Sequence, residues 1–367
     1  MTWKKPIFKL FPYILYIIIA RINYVLTVFI TSQFTGNIQK YDSNISLTFC
    51  ICPYPVDTED RRDRYFITFT SWLSTSPSSK ILILMPSFIF DPNNLLLPSL
   101  KDIFGSDRIL FGPVLETDED GIPFIDDWFI QGLDHSSTEL ICWINADIIT
   151  PKGWFPRIQF LYKYFHSRNQ QFGVISRRCD FNVTKEDTSF FFSHYSSGFS
   201  NFGKNHTQKL FYDKNENVFP NKSDFSEWPP NYDYFARFRA IHSIWGIDFF
   251  LLSRNSVSLN FDEIPPFHMG RYRWDPWITG WLNNNVQLTT LGNDFCTYHI
   301  NHVPTIRNSK RPKVKENLEM AARNGKFLAS NGEANFHFEE RAFYRGNIKI
   351  CDIPNYIPKE NAPLIES

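Results

Sequence analysis

The chain has 367 residues, and its 38 basic (Lys, Arg) and 38 acidic (Asp, Glu) side chains give a formal net charge of zero. Without excess positive charge it lacks the electrostatic footprint of nucleic-acid binding, which argues against a nucleic-acid partner. Aromatic residues make up 17% of the chain, enough apolar bulk for one large domain or two medium ones.

The N-terminal segment predicts a membrane anchor. Residues 1–9 carry three lysines, and residues 10–30 are mostly Leu, Ile, Phe and Val. As a helix rising about 1.5 Å per residue, this segment spans about 30 Å, the thickness of a hydrocarbon core. Arg21 costs about 3 kcal/mol at its centre, and the apolar residues return about 4–8 kcal/mol, so insertion is favoured. The alternative is a signal peptide, but no small-residue cleavage site follows Leu10–Ala20.

Charge and glycosylation patterns predict the topology. The basic residues before the anchor place residues 1–9 in the cytosol and the rest of the chain in the lumen. Four Asn-x-Ser/Thr sequons agree with a lumenal body, namely Asn44, Asn182, Asn205 and Asn221. The sequence therefore predicts a single-pass type II glycoprotein of the Golgi or ER membrane.

Residues 31–60 are polar and broken by prolines, which predicts a stem, and the folded body is predicted to begin near Asp63. Strands alternate with helices in the body, and this order indicates an α/β domain. Residues 180–240 are polar and predict long surface loops. The predicted strands are Tyr65–Thr70, Lys80–Met85, Arg108–Leu115, Leu140–Ile144, Phe172–Ser176 and Ile247–Leu252, and the predicted helices are Phe124–Leu133, Trp154–His166 and Val314–Arg323.

The strand Leu140–Ile144 ends in two polar side chains that point to a ligand site. Its continuous apolar run is typical of a strand buried on both faces, and Asn145 and Asp147 follow directly. Open α/β sheets bind ligands at the carboxyl ends of their strands, and oxygen ligands suit Mg²⁺ or Mn²⁺ bound to a diphosphate. The alternative is that both side chains turn the chain or cap a helix that begins near Gly153.

Seven motifs stand in order along residues 63–305: Ser71-Trp72-Leu73, Gly121-Ile122-Pro123, Asn145–Ile148, Arg177-Arg178, Gly246–Phe250, Pro265–Trp277 and His299–His302. In this order the chain resembles the GT-A fold glycosyltransferases of the nucleotide-diphospho-sugar transferase superfamily, and within them a membrane-anchored group. The resemblance implies a Rossmann-type three-layer α/β/α fold with a mixed central sheet. Residues 61–305 are then the transferase domain, between the stem and a C-terminal extension of residues 306–367.

The resemblance also implies an activity, the transfer of a sugar from a nucleotide-diphosphate sugar to a glycan, protein or lipid acceptor. Mn²⁺ or Mg²⁺ would bridge the diphosphate. Asp147 is the implied metal ligand, completed by His299 or His302, of which His299 is favoured. Asn145 stands where the family often has an Asp, and its amide would serve the ribose or a metal-bound water.

Further candidates for binding the nucleotide are Arg177, Arg178 and Thr70. A guanidinium binds phosphate bidentately, so either arginine would assist the diphosphate, although a solvated strand edge explains the pair equally well. Thr70 lies at the end of the predicted first strand.

Asp275 and Asp248 are the candidate catalytic carboxylates. Asp275 precedes Pro276, which predicts an N-cap with proline at the first helical position. Similar enzymes place a catalytic carboxylate at the start of a helix in this region, where the helix N-terminus keeps it ionised, as a base requires. Asp275 is therefore predicted to be the base or an acceptor binder, and Asp248 competes with it.

Other side chains allow two interpretations each. Trp245, Trp274 and Trp277 would either stack on sugar rings or lie in the core. Cys142 is predicted to be a buried thiol, while the other cysteines would pair in an oxidising lumen.

A rival function of another class is a non-catalytic membrane glycoprotein on the same fold that binds glycans or a partner protein. Asn145 favours the rival, and Asp147, His299 and Asp275 favour the enzyme.

Overall fold

The computed structural model describes residues 45–56, 58–76, 78–85, 107–150, 154–181, 240–292, 297–301, 313–323, 327–339 and 342–352. The chain divides into two units, Met1–Asp42 and Ser43–Ser367, and every described residue belongs to the second. The predicted cytosolic tail, the anchor at residues 10–30, the sequon asparagines and most of the predicted 180–240 loops lie outside the described residues. Within the described ranges, no helix has the length and apolar character needed to cross a membrane.

The elements are numbered here in chain order. The strands are β1 Leu47–Ile51, β2 Ser79–Met85, β3 Ile109–Val114, β4 Leu140–Ile144, β5 Ile148–Ile149, β6 Phe172–Ser176, β7 Arg178–Phe181, β8 Ala240–Ile241, β9 Phe249–Ser253, β10 Gln287–Leu291, β11 Thr297–Ile300, β12 Phe336–Glu339, β13 Ala342–Arg345 and β14 Ile348–Asp352. The helices are α1 Glu59–Thr75, α2 Ile125–Asp134, α3 Trp154–His166, α4 Trp274–Asn285 and α5 Val314–Arg323.

Ten of these strands form one mixed sheet in the order β14-β13-β12-β10-β6-β9-β4-β1-β2-β3. Parallel pairs join β4, β1, β2 and β3, and a second parallel set joins β6, β10 and β12. β9 runs antiparallel between β4 and β6 and so links the two sets. This sheet confirms the predicted α/β class with a mixed central sheet. A second sheet has the order β5-β11-β7-β8.

The central sheet is covered on both faces. Successive residues of β1 show this, because Phe49 packs in one apolar cluster and Cys50 in another. The first cluster includes Trp72 of α1 and residues of α3, and the second includes Trp128 of α2 and residues of α4. Burial on both faces is the reason that β4 is a continuous apolar run.

Two predictions for the start of the folded body differ from the structure. Tyr65–Thr70, predicted as a strand, lies within helix α1. The buried Tyr65, Phe69 and Trp72 recur at helical spacing, which outweighs the local alternation. The first strand is instead β1, whose five residues are all buried, and it lies inside the predicted stem. The sheet therefore begins earlier in the chain than the sequence indicated.

The C-terminal part of the chain continues the same sheet. Helix α5 is confirmed with its predicted bounds, Val314–Arg323. Strands β12 to β14, which fall in the predicted C-terminal extension, extend the sheet from β10 to its edge. Their buried Phe336, Phe338 and Phe343 belong to the same apolar cluster as Phe165 of α3.

Strands β2, β3, β4, β6 and β9 and helices α2 and α3 also confirm their predictions, within one or two residues at each end. Cys142 is the buried free thiol that was predicted, and burial raises its pKa well above the ordinary value. Cys50 and Cys52 are free as well, so the predicted pairing of the other cysteines is wrong for these two, whereas Cys179 is disulfide-bonded.

Candidate functional site

Asn145 and Asp248 meet at one edge of the central sheet. β4 ends at Ile144, whose register partner Phe249 begins the antiparallel β9, so the residues just outside each strand are neighbours. The backbone N–H of Asn145 donates to the Asp248 carbonyl at 3.0 Å. Its side-chain Nδ2 donates to Asp248 Oδ1 at 2.8 Å. This is the carboxyl edge of β4, the edge where α/β sheets bind ligands.

The second sheet brings Asp147, Asp180 and His299 together. β7 and β11 are parallel, with Asp180 and His299 in direct register. Ile300 of β11 donates its N–H to the Asp147 carbonyl at 3.0 Å. His299 lies between the two carboxylates, with Nε2 3.4 Å from Asp147 Oδ2 and Nδ1 3.3 Å from Asp180 Oδ1.

His299 is a cation in this arrangement. Burial alone would lower its pKa, but the charge of Asp147 and the hydrogen bonds to Asp147 and Asp180 raise it to about 10. A carboxylate only accepts hydrogen bonds, so a ring that faces one with each nitrogen carries hydrogen on both. His299 is therefore an imidazolium at neutral pH.

Arg178 is the second cation of the cluster and is half-buried. The motif Arg177-Arg178 directly follows β6, which ends at Ser176 as predicted, and Arg178 opens β7. Arg178 Nε lies 3.1 Å from Asp180 Oδ1, and Nη1 lies 3.1 Å from Asp248 Oδ2. Burial opposes its charge, but the charges of Asp248 and Asp180 outweigh burial and raise its pKa. Arg177 is turned elsewhere, since its Nε donates to the backbone carbonyl of His242.

Asp180 and His242 belong to the cluster, although the sequence motifs include neither. His242 Nδ1 lies 2.7 Å from Asp180 Oδ2. Burial would raise the pKa of Asp180, but hydrogen bonds from His242 and His299 and the charge of Arg178 hold it below its ordinary value. One signal was available in the sequence: residues 178 and 180 are two apart, so on a strand they share a face.

Asp275 lies in the first turn of α4 and is not its N-cap. The N-cap is Arg273, in a left-handed conformation with φ 80°, so the helix begins two residues earlier than predicted. Burial of the Asp275 carboxyl raises its pKa to about 8, and the negative charge of Asp248 adds to the rise. The prediction that the helix N-terminus keeps this carboxyl ionised is therefore wrong at neutral pH.

The remaining predicted site residues are dispersed. Thr70 lies in α1, where its hydroxyl donates to a carbonyl one turn earlier at 2.7 Å, instead of at a strand end. His302 lies outside the described residues. Trp274 and Trp277 are core residues, whereas Trp245 is 43% exposed.

Helix α1 holds the loop that carries Asp147. The Thr68 hydroxyl donates to the Ala146 carbonyl at 2.7 Å, and Trp72 Nε1 donates to the Ile148 carbonyl at 2.8 Å. The motif Ser71-Trp72-Leu73 is thus explained by its contacts with the neighbouring site loop.

The residues predicted to bind a metal give an incomplete set of ligands. Carboxylate and imidazole donors suit Mn²⁺ chemically. However, His299 turns both nitrogens to carboxylates, so it has no lone pair to offer in this state. Within the described ranges, no group of three or more His, Cys, Asp or Glu side chains is arranged to hold a metal ion. Asp147 and His299 are the two described members of the predicted ligand set, because His302 lies outside the described residues.

No known protein-family profile matches the chain, and no curated protein matches it. Among solved structures it is similar to residues 1–349 of S. aureus TarS, at 9% identity and a TM-score of 0.37, over 70% of this chain and 60% of that one. A structure of the same fragment in complex with UDP-GlcNAc matches at 11% identity and a TM-score of 0.27, over 38% of this chain and 36% of that one. The 4-diphosphocytidyl-2C-methyl-D-erythritol synthase of Anaerococcus prevotii DSM 20548 matches at 9% identity and a TM-score of 0.34, over 76% of this chain and 99% of that one. These likenesses are too distant to assign a function to this chain.

Proposed function

We propose that the chain is a glycosyltransferase that moves a sugar from a nucleotide-diphosphate sugar to a glycan, protein or lipid acceptor. One observation carries the proposal: acidic, basic and amide side chains converge at the edge of the sheet where α/β proteins bind ligands. They are Asn145, Asp147, Arg178, Asp180, His242, Asp248, Asp275 and His299.

Arg178 and His299 supply positive charge for the departing diphosphate. Preorganised cations at the position where negative charge develops stabilise a transition state, because they need no reorganisation during the reaction. A guanidinium can also bind phosphate oxygens in pairs. Both side chains are partly exposed, 21% for Arg178 and 13% for His299, so phosphate oxygens can reach them.

Asp248 and Asp275 take different roles in the cluster. Asp248 accepts a hydrogen bond from Asn145 on one oxygen and from Arg178 on the other. Asp275 keeps its proton up to about pH 8. We therefore assign Asp275 as a hydrogen-bond donor to the acceptor or the sugar at neutral pH, which keeps its predicted acceptor-binding role.

The experiment uses the purified full chain with a panel of nucleotide sugars that includes UDP-GlcNAc, each with Mn²⁺, Mg²⁺ or EDTA. Release of nucleoside diphosphate is measured, and nucleoside diphosphate binding is followed by calorimetry. An active glycosyltransferase should release the diphosphate from at least one donor. A chain that binds immobilised glycans but no nucleoside diphosphate would instead be the non-catalytic glycoprotein that Asn145 favours.

The variant Asp147→Asn tests metal dependence, which stays a prediction. Asparagine matches aspartate in size and caps helices about as well, but an amide is a much poorer metal ligand. We expect Mn²⁺-dependent nucleoside diphosphate binding to be lost, while the melting temperature falls by only a few degrees because Asp147 is partly exposed, at 21%. The matched control is Asp262→Asn, an exposed carboxylate in the short helical turn after β9. Equal Mn²⁺-dependent binding by wild type and Asp147→Asn would refute the metal assignment.

For localisation, we propose a type II protein of the Golgi or ER membrane. The support is the basic tail, the apolar segment at residues 10–30 and the four sequons. Endoglycosidase treatment of the protein expressed in glycosylating cells should increase its gel mobility, and an unchanged band would count against a lumenal body.

A further inference from the structure

His242 and Asp180 form a carboxylate–imidazole pair with a defined tautomer. His242 Nδ1 lies 2.7 Å from Asp180 Oδ2, and a carboxylate only accepts, so Nδ1 carries the hydrogen. In the neutral ring the lone pair is then on Nε2. Arg178 Nη2 also lies 3.4 Å from Nδ1, and a guanidinium only donates, so that contact would favour a lone pair on Nδ1. The contact to Asp180 is 0.7 Å shorter and therefore decides the tautomer.

The backbone of His242 is fixed at both polar groups. Its N–H donates to the Arg178 carbonyl at 3.1 Å, and its carbonyl accepts from Arg177 Nε. The ring packs on Gly246, where an added Cβ would lie 2.4 Å from His242 Cδ2. The side chain is 35% exposed, so a ligand can reach the ring. Among the described residues, none hydrogen-bonds to Nε2.

The other ionisable groups of the cluster are less suited to accept a proton. Asp248 already accepts hydrogen bonds on both oxygens, and Asp275 carries its own proton at neutral pH. His299 has a carboxylate facing each ring nitrogen, Asp147 Oδ2 at Nε2 and Asp180 Oδ1 at Nδ1, so neither nitrogen is open to an acceptor. Among the described side chains of the cluster, His242 meets both requirements of a base. The Asp180 carboxylate orients its ring, and in the neutral ring the lone pair on Nε2 is open to a ligand.

We propose that His242 is the catalytic base of the transfer, with Asp180 as the residue that positions it, an inference that rests on the proposed function. Nε2 takes the proton from the acceptor hydroxyl as the acceptor oxygen forms its bond to the sugar's anomeric carbon. The bond from that carbon to the diphosphate oxygen breaks, and its electron pair leaves with the diphosphate. The charge of Asp180 stabilises the resulting imidazolium, which returns its proton to solvent.

The test uses water as the acceptor and the nucleotide sugar that the wild-type chain turns over, with release of nucleoside diphosphate as the readout. His242→Ala should lower kcat by at least about 100-fold, the contribution typical of a general base. Its affinity for nucleoside diphosphate should stay within about twofold of wild type, since the base acts on the acceptor. Added imidazole should raise the rate of the His242→Ala variant about tenfold, because it replaces the missing proton acceptor.

Asp180→Asn tests the positioning role. It should lower kcat with little change in KM, and imidazole should not restore the rate, because the native ring is present but wrongly oriented. His135→Ala is the matched control, since this exposed histidine follows α2, outside the cluster, and its removal should leave kcat unchanged.

Two results would overturn the inference while the proposed function stands: a His242→Ala variant with wild-type kcat, or one that loses its rate without imidazole rescue. A wild-type chain that hydrolyses no donor would overturn both. Long-range ¹H–¹⁵N spectra of histidine-labelled protein test the geometry without activity. They should show the neutral His242 protonated at Nδ1, and protonation at Nε2 alone would refute the pair.

Discussion

Asp275 should make the stability of the protein depend on pH. Its pKa rises from an ordinary 3.8 to about 8 through burial and the charge of Asp248, so the folded state holds this proton more tightly than the unfolded state. The contribution of this proton to stability is fully present below the unfolded pKa and is lost as pH rises through the folded pKa. The contribution of Asp275 to the free energy of unfolding should therefore fall between about pH 4 and pH 8 and stay constant above.

The measurement is urea unfolding of wild type and Asp275→Asn at several pH values. Asparagine cannot ionise, so the fall with pH should be smaller in the variant, and the variant should gain stability relative to wild type at pH 9. Parallel pH curves for the two proteins would show that the Asp275 carboxyl is not perturbed.

Residues of the site were predictable to the extent that a local pattern marked them. Asp147 and Asp248 stand directly beside apolar strands, and such a position can be read from the sequence. Asp180 and His242 could not be read in this way, because their contact depends on β7 pairing with β8 from beyond residue 239. The raised pKa of Asp275 has the same origin, since it requires Asp248, a residue distant in sequence, to lie close by.

At the scale of elements, helix α1 supports the Asp147 loop, and Thr68→Val tests that support. The change keeps the side-chain shape but removes the fully buried hydroxyl that donates to the Ala146 carbonyl. We expect a loss of about 1–3 kcal/mol in the free energy of unfolding, because a buried acceptor loses its donor. Affinity for nucleoside diphosphate should fall as well, since the loop loses a contact to the helix.

Thr70→Val is the control in the same helix, because the Thr70 hydroxyl bonds to a carbonyl of α1 itself. It should cost less stability and leave nucleoside diphosphate affinity unchanged. A larger loss of affinity in Thr70→Val than in Thr68→Val would support the original prediction that Thr70 binds the nucleotide. Both changes are followed by urea unfolding and calorimetry.

Whether a segment forms a helix or a strand could be predicted where the apolar spacing was unambiguous, as in α3. The prediction failed where the strand period and the helix period both matched the sequence. In Tyr65–Thr70 the apolar residues alternate over a few positions, which favours a strand when the window is short. Over the longer window from Tyr65 to Trp72 the spacing is helical, and the faces that α1 buries follow that longer period. β1 was not predicted because Pro53 and Pro55, which follow it closely, and the polar residues before it are typical of a stem.

For the whole molecule, the structure indicates that a domain ending at residue 305 is incomplete. Strands β12 to β14 form one end of the sheet. Phe336 and Phe343 stack on each other and contact the Phe165 ring edge-to-face. A chain truncated after residue 305 would expose this part of the core, and we expect it to aggregate or lose its cooperative thermal transition. A chain truncated after residue 352 keeps all described strands and should melt like the full chain. A folded, cooperative product from the shorter truncation would contradict the assignment of these strands to the core.

The strand order of the second sheet differs from the order of its strands in the chain, and this limits when the sheet can form during synthesis. β5 pairs with β11, and β11 with β7, so strands about 120 to 150 residues apart in the chain lie side by side. Contacts of such long sequence separation form late, because the entropy of closing the intervening loops must be overcome first. Asp147 and Asp180 are therefore translated well before His299. Because β11 lies between β5 and β7, the cluster of these two carboxylates around the imidazole can assemble only after β11 has been synthesised and paired.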